Sequence, residues 1–333
     1  MNARKKHTSW QKNENNNNLH SGPDGYDYRL WNVEEADDSA VTFVLMSPDG
    51  DQGFPGNFEV SVTYTLTDEN AVEIHYEGSC DQDTVVNMTN HSYFNLAGHD
   101  AGSIENQTLV LKAEQFSPVI DSASIPTGEH APVQGTPMDF TSEKAIGAEI
   151  EADFEQLKLT GGYDHNFILD KAVEGSIELM AVASCKESGI TMEAFTDLPC
   201  VQFYAGNFIA PVTGKNGVFY DKRNGFCLDL SMCRMPSTRR VRRNRSLRQA
   251  ILTTPQPYTN SFLRSYFIAI LENNAKNSAP QSVNYCVTDF RRTSVRLQIC
   301  SLQFALCSTA FFALFSGLAI ETASKKLPSC SVL

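Results

Sequence analysis

Asn90-His91-Ser92-Tyr93-Phe94-Asn95-Leu96 sets a histidine among aromatic and amide side chains. An imidazole titrates near neutral pH and can pass a proton to a reacting oxygen or take one from it. Standing alone, such a histidine is more often a hydrogen-bonded structural residue. In Gly161-Gly162-Tyr163-Asp164-His165-Asn166-Phe167 the glycine pair lets the backbone turn tightly and present the short Asp164 carboxylate. In isolation Asp164 reads first as a turn cap, and His165 as structural. Gln202, in Gln202-Phe203-Tyr204-Ala205-Gly206-Asn207-Phe208, offers donors and an acceptor together, which serves a ligand or the end of a strand equally well. A fourth segment, Leu19-His20-Ser21-Gly22-Pro23, adds another imidazole.

The elements that must position these residues read as strands. Phe58, Val60, Val62, Tyr64 and Leu66 alternate with Glu59, Ser61, Thr63 and Thr65, the period of a half-buried strand. Asp68-Glu69-Asn70 supplies a turn, after which Val72, Ile74 and Tyr76 resume the alternation and predict a hairpin. Residues 41–45, 84–88, 108–111, 167–169, 177–183 and 190–195 are predicted as further strands, and Glu143–Glu155 as the one modest helix. Many strands with short polar turns predict an all-β, antiparallel β-sandwich.

Charge divides the chain near Leu230. Of the net −12, residues 231–333 contribute +11 from 14 Lys+Arg and 3 Asp+Glu, leaving −23 for residues 1–230. An acidic body suits a neutral small-molecule ligand and excludes a nucleic-acid groove, which needs cations to replace condensed counterions. No two of the nine cysteines form a Cys-x-x-Cys pair, so neither a structural zinc site nor a redox motif is read. Cys80, Cys185, Cys200 and Cys227 are expected as buried free thiols of a cytoplasmic protein. The basic residues Arg4, Lys5 and Lys6 precede no apolar run, so no secretory signal is expected. In the basic part, 239–245 has the composition of a nuclear-targeting or nucleic-acid patch, and the apolar stretch 299–320 that of a tail anchor interrupted by Gln303 and several serines.

Taken in order, the four motifs resemble the aldose 1-epimerase (galactose mutarotase) family, over about Lys12 to Leu228. The resemblance implies the large galactose mutarotase-like supersandwich. It also implies interconversion of the α and β anomers of an aldohexose such as galactose or glucose. That reaction removes the anomeric hydroxyl proton while protonating the ring oxygen, and is expected to need an acid and a base on opposite sides of the sugar but no metal or cofactor. By resemblance His91 is the acid, Ser92 and Tyr93 lie against the sugar, His20 bonds near the ring oxygen, and Asp164 and Gln202 hold sugar hydroxyls. The base falls on Asp229. Family members carry a Glu after Gly-Phe-x-Leu and then Thr-Gln, whereas here Gly225-Phe226-Cys227-Leu228 leads to Asp229-Leu230-Ser231. One methylene less of reach predicts an impaired base.

The resemblance divides the chain into a mutarotase-like domain over 1–230 and a non-family tail over 231–333. Codons chosen for 231–261 can be read in another frame as a family-like closing segment containing Pro-Asp-Ala-Val-Asn. The tail is therefore expected to be frame-shifted or misassigned, to lack fixed structure, and to add no strand to the body. The family's opening strands, with the Asn-Arg pair that grips the sugar, are expected to be missing before Asn2-Ala3-Arg4. A membrane or nucleic-acid partner is not expected, and the sequence leaves the oligomeric state open. Two other readings are a non-catalytic sugar-binding protein and a hexose-phosphate epimerase. The second wants an arginine cluster, and the body offers only Arg4, Arg29 and Arg223.

Overall fold

A computed structural model describes residues 10–82, 84–233, 251–252 and 263–273. In chain order the strands are β1 (Asn32–Ala36), β2 (Ala40–Ser47), β3 (Phe58–Leu66), β4 (Ala71–Cys80), β5 (Thr84–Val85), β6 (Thr108–Leu111), β7 (Gln115–Ser117), β8 (Ala131–Pro132) and β9 (Lys144–Ala145). A short helix, α1 (Glu155–Thr160), precedes β10 (Asp164–Ile168), β11 (Glu178–Cys185), β12 (Ile190–Thr196), β13 (Cys200–Tyr204), β14 (Val212–Thr213), β15 (Phe219–Tyr220), β16 (Cys227–Ser231), β17 (Ile251–Leu252) and β18 (Leu263–Asn273).

Two antiparallel sheets carry the molecule: a nine-stranded sheet ordered β1-β2-β3-β4-β18-β12-β11-β6-β9, and a five-stranded sheet ordered β16-β13-β10-β7-β8. The predicted hairpin is present, pairing Phe58 with Cys80 through to Leu66 with Val72. Its alternation becomes burial, with Phe58, Val60, Val62, Tyr64 and Leu66 all buried. Phe43, Val62, Ile74, Leu109 and Met192 of the large sheet share one core with Phe116, Phe167, Phe203, Leu228 and Leu230 of the small one. Phe203 is fully buried within it, with ring centroids 5.4 Å from Phe140 and from Tyr163. Aromatic pairs of this kind add about 0.5–1.5 kcal/mol beyond their burial.

Two sequence expectations give way here. Residues 143–155 do not form a helix: Lys144 and Ala145 pair with Leu109 and Thr108, and helical residues begin only at Glu155. The buried Ile146 and Ile150 supply a helical spacing, but a Cβ at Gly147 would stand 3.0 Å from the Glu105 carbonyl oxygen, and the chain there follows the edge of β6. The expectation that nothing beyond Leu230 adds a strand is also overturned. β16 continues to Ser231, and β18 lies between β4 and β12, pairing with both. Residues 266–271 are a continuous apolar run, the composition of an interior strand, and β18 gives partners to edges that β4 and β12 would otherwise expose. The basic run 239–245 and the apolar stretch 299–320 lie outside the described residues. No helix among the described residues is long and apolar enough to cross a membrane.

Cys200 corrects the free-thiol expectation as well. It is disulfide-bonded to Cys233, with the Cα atoms 5.2 Å apart, while Cys80, Cys185 and Cys227 are free and buried. The pairing of Cys200 with Ser231 places the chain two residues later within reach.

Candidate active site

β10, β13 and β16 build the floor of the site through their register. Asp164 stands opposite Tyr204 and Tyr204 opposite Cys227, while Asn166 stands opposite Gln202 and Gln202 opposite Asp229. Side chains alternate across a sheet, so these two rows share one face. His165, Phe203 and Leu228 form the intervening row on the other face, and the latter two belong to the core. Every residue of β13 and β16 is buried, yet one face is polar. Buried polar residues at a two-residue spacing mark a face that holds more than packing.

The polar face is cross-linked. Gln202 Nε2 donates to Asp164 Oδ1 at 2.6 Å, and Asn166 Nδ2 donates to Ser231 Oγ at 2.8 Å. Gly161 ends α1 in the left-handed region at φ 65°, and Gly162 follows at φ 133°. A Cβ at Gly162 would collide with the Asn207 side chain, whose Nδ2 donates to the Tyr163 carbonyl at 2.9 Å. The glycine pair thus delivers Asp164 to the start of β10, as its spacing suggested.

His91 is carried by a loop held from both ends. Phe94 and Phe226 exchange backbone hydrogen bonds of 2.8 and 3.0 Å, which brings the loop alongside β16. Asn95 Nδ2 donates to the carbonyls of Gly102 and Asn224, while its Oδ1 accepts from Gln107 Nε2. His91 Nε2 then lies 3.6 Å from Asp229 Oδ2, with side chains 18% and 6% exposed. The imidazole stacks on Tyr93 at 5.1 Å and meets His20 and Tyr204 edge-on at 5.4 and 6.1 Å. Burial above all, with smaller contributions from neighbouring Cys227, Asp164 and Asp229, pushes the Tyr93 and Tyr204 phenols well above the usual range.

His20 comes from the amino-terminal side. It and Ser21 occupy the left-handed region at φ 49° and 70°, an uncommon pair of non-glycine residues there. Arg29 secures this segment by forking onto the Asp51 carboxylate and pairing with Asp24 at 3.1 Å, which holds the Asp51 carboxyl below its usual range.

The structure therefore gathers His20, His91, Tyr93, Asp164, Gln202 and Asp229 around one polar face. Ser92 stands apart. It is buried and its hydroxyl donates to Asn90 Oδ1, while Asn90 Nδ2 bonds the core residue Tyr64. Along an extended loop His91 and Tyr93 share one side, and Ser92 braces from the other. Sequence reasoning missed Tyr204, although it lies inside the Gln202 motif. It also missed Asp27, whose carboxyl is raised by burial and pulled back by its own backbone hydrogen bond and then by nearby His91. Cys227 was missed too, as a thiol on the polar face raised well above its usual range by burial and then by Asp229 and Asp164.

His165 is structural in its surroundings. It is fully buried, edge-on to Phe116 at 5.8 Å, and desolvation pushes its imidazole down to about 4. Its folded value lies below the unfolded one, so the unfolded chain binds the extra proton between about pH 6.5 and 4. Stability is complete above that window and falls as pH drops through it, by on the order of 3 kcal/mol at its lower end. A His165→Asn variant is expected to show a shallower loss of stability from pH 6.5 to 4 in urea unfolding. An unchanged acid limb would show that His165 does not control it.

A family model described as aldose 1-epimerase matches residues 3–240. The aldose 1-epimerase of Haemophilus influenzae is 41% identical over 220 residues, 65% of this chain and 62% of that protein. Human galactose mutarotase is 41% identical over 218 residues, 65% of this chain and 61% of that protein. The chain thus spans about three fifths of the length of these curated relatives. Among solved structures, galactose 1-epimerase from Lactobacillus acidophilus superposes with a TM-score of 0.61 at 26% identity, covering 75% of this chain and 68% of that one. An aldose epimerase homologue from C. elegans gives 0.63 at 24% identity, covering 77% and 72%, a likeness of fold.

Proposed function

The chain belongs to the aldose 1-epimerase family, and we propose that its polar face interconverts the α and β anomers of an aldohexose by general acid–base ring opening. The observation that carries this reading is the 3.6 Å approach of His91 Nε2 to Asp229 Oδ2 beside the Asp164–Gln202 pair. The ring oxygen and the anomeric hydroxyl are bonded to the same carbon, so an acid and a base side by side, rather than on opposite sides of the sugar as first expected, reach both. Protonated His91 gives its proton to the ring oxygen as Asp229 takes the hydroxyl proton. The pair passes from imidazolium and carboxylate to imidazole and carboxylic acid, with no change of net charge in a buried site. The aldehyde carbon rotates, and the reverse transfers close the ring on either face.

Gln202 Oε1 and His91 Nδ1 are buried without a hydrogen-bond partner among the described residues, which leaves polar capacity for sugar hydroxyls. Tyr93 and Tyr204 supply flat faces for the C–H side of a pyranose. A sugar phosphate fits less well. Arg29 is committed to Asp51 and Asp24, and Arg223 to Glu105 and Glu151. The test is polarimetry of freshly dissolved α-galactose. The purified chain is expected to speed the approach to equilibrium above the buffer rate, and a rate equal to buffer at micromolar protein would sink the proposal.

A further inference from the structure

We propose that His91, Cys227 and Asp229 form a three-ligand site for a thiophilic divalent cation, Zn²⁺ in the first instance, and that its occupancy silences the acid–base pair. The silencing half rests on the acid–base reading above, whereas the binding half stands without it.

One ring nitrogen of His91, the Cys227 sulfur and a carboxylate oxygen of Asp229 all lie within 4.8 Å of one another. Ligand atoms about 2.0–2.3 Å from a common tetrahedral zinc stand some 3–4 Å apart, so small side-chain movements close the set. Cys227 and Asp229 are two residues apart on β16 and share its polar face, and the Phe94–Phe226 bridge fixes the His91 loop against that strand. Rigid strands hold metal ligands more precisely than loops do.

The donor set selects the cation. Imidazole, thiolate and carboxylate together suit zinc, while magnesium and calcium prefer an all-oxygen shell. Thiolate and carboxylate balance the dication, so the occupied site is formally neutral. Asp27 and Asp164 nearby add a field that draws a cation in. Three protein ligands leave a fourth position open, the pattern of an exchangeable cation rather than a structural one. No Cys-x-x-Cys spacing announces such a site, because its histidine arrives from a distant segment through tertiary contact.

Occupancy has a direct chemical consequence. The cation engages a nitrogen of the proposed acid and an oxygen of the proposed base, so neither completes the proton exchange, and it stands where the sugar would enter. Zn²⁺ is therefore expected to inhibit anomer interconversion reversibly, with relief by a chelator.

The test uses the full chain, stripped with chelator and loaded with Co²⁺ as a spectroscopic stand-in, then titrated with Zn²⁺ against a chromophoric competitor. A thiolate-to-cobalt charge-transfer band is expected, displaced by Zn²⁺, lost in Cys227→Ser and kept in Cys80→Ser. Zn²⁺ affinity should fall by roughly 100-fold or more in Cys227→Ser, since even outer-shell changes cost 10–100-fold. Because Cys227 is buried, His91→Asn at the rim provides a second variant that must also weaken binding, with circular dichroism as the check on folding. Cobalt bound without a thiolate band, or a band that survives both substitutions, overturns the site. These readings need no sugar. A chain that binds zinc through Cys227 but shows no anomer interconversion would overturn the proposed function and leave the metal site standing.

Discussion

Replacing His91, the proposed acid, with alanine is expected to lower kcat for the proposed anomer interconversion by about 10²–10⁴-fold, the usual loss for a missing general acid. The imidazole is held by Tyr93 on one face and by the ring edges of His20 and Tyr204, and its Nε2 is aimed at Asp229. No described neighbour on that loop can take its place, because the Ser92 hydroxyl is committed to Asn90. Ser92→Ala should therefore cost far less than His91→Ala, although the two residues are adjacent. Stopped-flow polarimetry of both variants, with thermal melts to confirm folding, separates the cases. Equal losses would mean that the loop as a whole matters and that His91 has no special role.

The β3–β4 hairpin was legible in the sequence because one face is core and the other is not, so burial and polarity alternate together. β13 and β16 were harder. Both are buried throughout and carry polar side chains on a buried face, so neither alternation nor a plain apolar run announces them. The candidate site residues were singled out only through resemblance to a family, since each one alone reads as a turn cap or a satisfied core residue. Structure alone supplies the distances. The 3.6 Å between His91 and Asp229 follows from a backbone bridge between Phe94 and Phe226, two residues with no pattern in common. The Cys200–Cys233 bond and the insertion of β18 were likewise out of reach, because each depends on where a strand ends and which edge it leaves open.

Asp229 is the residue whose chemistry departs furthest from the resemblance, and its substitutions carry the second large effect. Asp229→Asn keeps the shape but removes the proposed proton acceptor, and is expected to lower kcat by at least about 10²-fold. Asp229→Glu restores the reach that one missing methylene withholds, and since a misplacement of about 1 Å can cost on the order of 10²-fold, a gain of about tenfold or more is expected. The longer side chain must fit among Cys227, His91 and Gln202 on a face where Asp229 is 4% exposed. Added methylenes in a packed site cost about 1–3 kcal/mol, so the Glu variant should melt at lower temperature while turning over faster. A rate that rises as stability falls is the signature of restored geometry, because a change acting only through folding would move both in the same direction. If Asp229→Asn turns over like the unsubstituted chain, the base lies elsewhere, and Asp27, whose carboxyl burial raises beside His91, becomes the group to replace.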